Sequence, residues 1–228
     1  MTRLLILRPE PGASETARRA RSLGMDPVIA PLFEIRPRSW KVPDGHFDAL
    51  LLTSANAARN AGQMPDLPCY AVGEATADAA RGAGLAEVIA GPSDGQAALA
   101  LAAAHGHKRI LHLCGREHIA AEHSGVTVVR HIVYAAEAAP ELPANARAVL
   151  AGSAVVMLHS PRAARLLSML VPDRSVIRIV AISAAAADAA GSGWASIDVP
   201  AMPRDEALLE LAAQLCKAGT SQMTGRDR

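Results

Sequence analysis

Short, predominantly apolar runs recur along the chain, and longer mixed segments separate them. LLIL (4–7), ALLL (49–52), ILHL (110–113), VVML (155–158) and IVAI (179–182) are too short for helices. A continuous apolar run of that length marks a strand buried on both faces, as in a parallel sheet. The pattern predicts strands at Arg3–Leu7, Pro27–Phe33, Asp48–Thr53, Pro68–Val72, Glu87–Ala90, Arg109–Cys114, Val126–Tyr134, Ala154–His159, Val176–Ile182 and Ala195–Val199. Between them, helices are expected at 13–23, 55–62, 74–83, 94–104, 117–123, 144–151, 161–170, 184–190 and 204–217. Strands and helices that alternate almost throughout predict an α/β fold of parallel, doubly wound sheets with helices on both faces. Ten strands are many for one sheet, so two sheets of about five strands are expected.

The chain also repeats itself. LLTSANAAR (51–59) echoes MLHSPRAAR (157–165), and AVGEATADAA (71–80) echoes AISAAAADAA (181–190). GPSDGQAALALAA (91–103) echoes AMPRDEALLELAA (201–213), and RLLILRPEPGASE at the start echoes RILHLCGREHIAAE (109–122). The first three recur in one order at near-equal spacing, which points to an internal duplication into two similar domains.

Composition narrows the class. Half the residues are hydrophobic and only 3% are aromatic, so the cores must be built from Ala, Val, Leu and Ile. A net charge of +1 gives no global signal for nucleic acid or a membrane surface. No apolar run approaches a membrane span, and MTRLLILRPEPG reads as a first strand, not a signal peptide. Three scattered cysteines suit reduced thiols in the cytoplasm. Residues 219–228 lack apolar periodicity and are expected to be a disordered tail.

The candidate chemistry lies in the turns. In open α/β sheets, ligands sit beyond the carboxyl ends of the strands, near helix N-termini. Small polar residues occupy those positions: Thr53, Ser54 and Asn56; Gly73, Glu74 and Thr76; Ser93 and Asp94; Cys114, Gly115 and Arg116; Ser160; and Ser183. Each is also an ordinary helix cap; the repeated set is what suggests anion binding. No G-x-G-x-x-G or Walker motif occurs, which argues against a dinucleotide or NTP enzyme. His105, His107, His112, His118 and His123 cluster in sequence without zinc-ligand spacing, so they are read as surface and strand-end residues and no metal is expected. Tyr134, one of two tyrosines, ends a strand mid-chain. It can donate a hydrogen bond or act as a weak acid, or simply fill a domain seam.

Taken in order, LLILRPEPGASETARRARSLG, VIAPLFEIRP, DALLLTSANAAR, YAVGEATADAARGAG, LHLCGRE, VVRHIVYAAE, VVMLHSPRAARLL and VAISAAAADAA resemble uroporphyrinogen-III synthases over nearly the whole chain. The resemblance implies two α/β domains, one formed by 1–33 with 138–228 and the other by 40–132. Linkers would run through 34–39 and 134–137. The echoed turns would then face one cleft.

The resemblance further implies a cyclising lyase of tetrapyrrole (haem) biosynthesis. Hydroxymethylbilane would close to uroporphyrinogen III with loss of water and inversion of ring D, through an azafulvene and a spiro intermediate. No cofactor is implied, and the only expected partner is that small-molecule substrate, bound by a cytoplasmic monomer. Tyr134 matches the family tyrosine proposed to protonate the leaving hydroxyl. Thr53, Ser54, Asn56, Gly73, Thr76, Ser160 and Ser183 match substrate-binding turns, and Arg8 and Arg116 match weaker basic positions. Relatives often carry threonine where Ala186 stands, so a side-chain role for that turn is not expected here. The competing reading is a non-catalytic two-domain module that binds a small anion.

Overall fold

The computed structural model describes residues 2–91 and 94–223. In chain order the elements are β1 (Arg3–Ile6), α1 (Gly12–Ser22), β2 (Pro27–Ile29), β3 (Phe33–Pro37), β4 (Ala49–Leu52), α2 (Ala55–Asn60), β5 (Cys69–Val72), α3 (Glu74–Gly82), β6 (Val88–Gly91) and α4 (Gly95–Ala104). They continue with β7 (Arg109–Gly115), β8 (Thr127–Ala138), α5 (Ala144–Leu150), β9 (Ala154–Leu158), α6 (Pro161–Leu170), β10 (Arg178–Ala181), α7 (Ala184–Ala190), β11 (Ser196–Asp198) and α8 (Asp205–Met223). The chain divides into two compact units: Met1–Glu34 with Ala138–Arg228, and Ile35–Glu137.

The first unit holds a five-stranded sheet in the order β11-β10-β9-β1-β2, with every pairing parallel. Its strands are apolar because both faces are covered. Leu4 and Ile6 of β1, with Val155 and Met157 of β9, pack against Ala13 and Ala17 of α1 and Leu208 and Ala212 of α8. Small residues on α1 let the helix lie close to the sheet. The intervening Leu5 and Val156 are equally buried, and period-two alternation turns them to the opposite face.

The second unit holds a six-stranded sheet in the order β3-β8-β7-β4-β5-β6. Leu50, Leu52, Leu111 and Leu113 form one buried layer with Ala57 and Ala58 of α2. Ala49, Leu51 and Ile110 alternate to the other face and meet Tyr70 and Leu99.

Each sequence echo falls at the same place in its sheet. β9 and β4, β10 and β5, β11 and β6, and β1 and β7 occupy matching positions, and the second unit adds β3 at its edge. Both sheets therefore change winding direction at equivalent points, between β1 and β9 in the first and between β7 and β4 in the second.

Three expectations change. The segment 117–123 is irregular, not helical. A segment this short gains too few helical bonds to form on propensity alone, and its backbone groups find other partners. The side chain of Gln96 instead binds both the N–H and the carbonyl of Glu122, and Arg130 donates to the Ala121 carbonyl at 2.6 Å. The segments read as linkers are largely strand: Pro27–Phe33 breaks at residues 30–32, β3 carries the chain to Pro37, and β8 runs unbroken to Ala138. Arg38 N–H bonds the Val133 carbonyl at 2.8 Å there, an inter-strand bond that hydrophobic patterning does not reveal. Finally, α8 continues through 219–223, part of the expected disordered tail. A helix once seeded by buried residues such as Leu208 propagates more cheaply than it starts. Residues 224–228 of that tail, and Ser93, lie outside the described residues.

Candidate functional site

In the second unit the turn after β4 and the ends of β7 and β8 meet at the winding reversal, where open sheets bind ligands. Ser54 leaves β4 extended and caps α2, its Oγ accepting from Asn56 N–H at 3.2 Å. The same Oγ accepts from the Tyr134 hydroxyl at 3.1 Å. Tyr134 sits opposite Gly115, where the β7–β8 register shifts. The ring lies on the glycine itself: a Cβ there would come within 2.6 Å of Tyr134 Cζ and 2.8 Å of its hydroxyl. The other tyrosine, Tyr70, is buried, and its hydroxyl is taken by His105 at 2.7 Å. Tyr134 alone thus brings a phenol to this turn. Gly115→Ala is expected to push the ring off its seat and break the bond to Ser54. Any activity that needs this phenol should fall towards its level in Tyr134→Phe, and combining the two changes should cost little more, a pattern that steady-state rates of the three variants would check.

Thr53 is held from behind. Its hydroxyl lies 3.1 Å from His112 Nε2, and His112 is fully buried on β7. The expectation of surface and strand-end histidines fails here, because side-chain alternation sends residue 112 into the sheet's interior. Burial, then the charges of His118 and Arg130, push its pKa down to about 4. The imidazole is neutral at neutral pH, with Nδ1 buried and without a partner. The unfolded chain takes up this proton near pH 6.5 and the folded one only near 4, so stability is level above about 7 and falls as pH drops between those values. The loss is of order 3 kcal/mol. Urea unfolding from pH 7 to 4 should show it, with a flatter slope in His112→Phe. Among the described residues, no three His, Cys, Asp or Glu side chains gather closely enough to hold a metal ion.

On the neighbouring strand, β5 ends in Gly73, whose φ of +72° is easy only for glycine. Gly73 caps α3 without a side chain, leaving the first-turn amides free of a side-chain acceptor. Thr76 is therefore not a cap; it is the third helical residue and is buried. The second copy reverses this arrangement. Ser183 caps α7 by accepting from Ala186 N–H at 3.3 Å, and buried Ala186 takes the position of Thr76. The hydroxyl has moved from the third helical position to the cap.

Arg116 is exposed, and its backbone N–H bonds the Tyr134 carbonyl at 2.9 Å. Its guanidinium pairs with Glu117 at 3.1 Å and Glu137 at 3.2 Å, and Arg38 also pairs with Glu137. Hydrogen bonding from Arg116 holds the Glu137 carboxyl below its ordinary range.

In the first unit, Ser160 caps α6 through Ala163 N–H at 3.1 Å. Arg8, at the end of β1, is engaged within the unit. Its guanidinium donates to Thr16 at 3.2 Å and to Asp205 at 3.3 Å. Asp205 opens α8 and also accepts from Thr16, from Arg19 at 3.3 Å and from His159 Nε2 at 2.9 Å. Burial opposes its charge, but the His159 bond and the neighbouring cations outweigh it and the pKa is lowered. Burial likewise lowers that of His159 despite Asp205. Sequence reading missed this cluster because its members are far apart in the chain; only the polar Thr16 on an otherwise small, apolar helix face hinted at it.

Fold and turns together define a duplicated, parallel α/β protein whose second unit gathers a phenol, serine and threonine hydroxyls and a free helix N-terminus along one sheet edge. Residues 14–210 match the family model described as uroporphyrinogen-III synthase HemD, and the chain belongs to that family. The structure resembles that of uroporphyrinogen-III synthetase from Helicobacter pylori, with a TM-score of 0.66 and 18% identity over 94% of this chain and 100% of that one. A Thermus thermophilus uroporphyrinogen III synthase aligns at TM-score 0.42 and 16% identity, over 96% of this chain and 100% of that one. No curated protein matches in sequence. Among the described residues, no helix is long and apolar enough to cross a membrane.

Proposed function

We propose that this chain is a uroporphyrinogen-III synthase that acts in the cytoplasm as a monomer, closing hydroxymethylbilane with inversion of ring D. Family membership carries this reading. The chemistry asks little of a protein beyond orientation and one proton. The linear tetrapyrrole cyclises unaided to the uninverted isomer, so the enzyme must fold it so that the inverted closure is nearer, which is catalysis by positioning.

Tyr134 is the proton donor to the leaving hydroxyl. Its O–H, resting on Ser54 in the free protein, turns to the substrate, and Ser54 keeps its bond to Asn56 N–H. Thr53, oriented by His112, and the uncapped amides after Gly73 receive propionate or acetate groups. Thr76 shapes the floor of that turn. Arg116 trades its surface pairs with Glu117 and Glu137 for a substrate carboxylate, a cheap exchange because exposed pairs are weak. In the first unit Ser160 and Ser183 act as caps that orient helix N-termini, while Arg8 serves the structure through Asp205.

A module that merely bound small anions would need no phenol seated on a glycine. The experiment that separates the two is incubation with fresh hydroxymethylbilane, followed by oxidation and identification of the porphyrin isomer.

A further inference from the structure

We infer that the groove along α6 and the end of α7, within the first unit, is a binding site for a small planar carboxylate. The groove encloses about 540 Å³, within the range of small-molecule sites. Leu166, Met169 and Ala190 give it an apolar floor, and three guanidiniums, from Arg162, Arg165 and Arg174, border it with no acidic residue in the lining.

The cations are placed for a ligand. Arg162 lies over the Phe33 ring at 4.3 Å and Arg174 over Trp194 at 5.0 Å, so two guanidinium planes are fixed before anything binds. Arg165 and Arg174 form no ion pair with any described carboxylate. The carbonyl most able to repel an anion, that of Ala190 at the end of α7, is already taken by the Ser168 hydroxyl and the Trp194 indole N–H. Met169, 72% exposed, leaves apolar surface that a flat ring would cover. Guanidinium forks match a carboxylate in the plane, and the floor matches the ring.

The test uses 2-naphthoate and its uncharged amide as probes, with the full chain, in ligand-observed NMR titrations. Saturable naphthoate binding is expected, at least about tenfold tighter than the amide and lost in Arg165→Ala/Arg174→Ala. Met169→Glu, at an exposed position, should weaken it as well. The synthase rate should be unchanged in these variants, and the binding result stands whatever the chain's activity proves to be. Equal binding of acid and amide, naphthoate binding that survives the double arginine change, or binding that never saturates would each overturn the inference.

Discussion

Tyr134→Phe is expected to slow formation of isomer III by roughly 10²–10⁴-fold, the usual worth of a positioned acid. The fold should hold, because the change removes one hydrogen bond, to Ser54, of about 1 kcal/mol. The ring keeps its place over Gly115, and Ser54 still caps α2 through Asn56 N–H. Loss of turnover with an unchanged melting temperature therefore isolates the phenolic proton. A variant that makes isomer III at the parent rate would transfer that role to water or to the substrate's own groups. Ser54→Ala provides a control: it frees the phenol, removes the cap, and should cost stability of about 0.5–2 kcal/mol with a smaller effect on rate.

Asp205→Ala is expected to destabilise the first unit by about 2–4 kcal/mol. One carboxylate, 16% exposed, joins the ends of β1 and β9 to α1 and α8 through Arg8, His159, Thr16 and Arg19. Removing it leaves the Arg8 guanidinium and a buried imidazole without their carboxylate, while Arg19 keeps Glu15 and Glu206. Arg8 and Arg19 are each about a third exposed and can turn to water, which keeps the cost below that of a fully buried pair. The melting temperature should fall by about 5–15 °C. The pH dependence has a definite sign. Asp205 has a lowered pKa, so its contribution is present above about pH 4 and is lost as pH falls further. His159 is also lowered, so the folded state resists a proton that the unfolded chain accepts, and stability declines as pH drops below about 6.5. Asp205→Ala should lose the first of these declines, while the His159 decline should persist or steepen, because the carboxylate that supported the imidazolium is gone. Unchanged stability with reduced substrate affinity would instead return Arg8 to the role of a substrate cation.

The parallel sheets were legible because strands covered on both faces leave continuous apolar runs, and ALLL or VVML can hardly be anything else. The duplication was legible because each echo preserved a strand, its turn and the next helix. The strands β3 and the end of β8 were not, since their residues are only partly buried and carry no such run. At the site, the turn residues announced themselves as punctuation, but punctuation does not separate a cap from a ligand. Ser54, Ser160 and Ser183 prove to be caps, while Thr76 proves to follow an uncapped glycine. The His112–Thr53 contact had no local signal, and the Asp205 cluster had only the polar Thr16 on a small, apolar helix face. They join residues brought together only by the winding of the sheets; Arg8, read as a weak match to a substrate-binding basic position, has its carboxylate partner at the far end of the chain.

The function proposed for Tyr134, Ser54, Thr53 and the Gly73 turn is that this sheet edge directs which carbon of ring D closes the macrocycle. The most direct measurement is the isomer composition formed from hydroxymethylbilane as the protein concentration is raised. Isomer III should displace isomer I, at a rate proportional to protein. Isomer I alone, appearing at the rate seen without protein, would contradict the account.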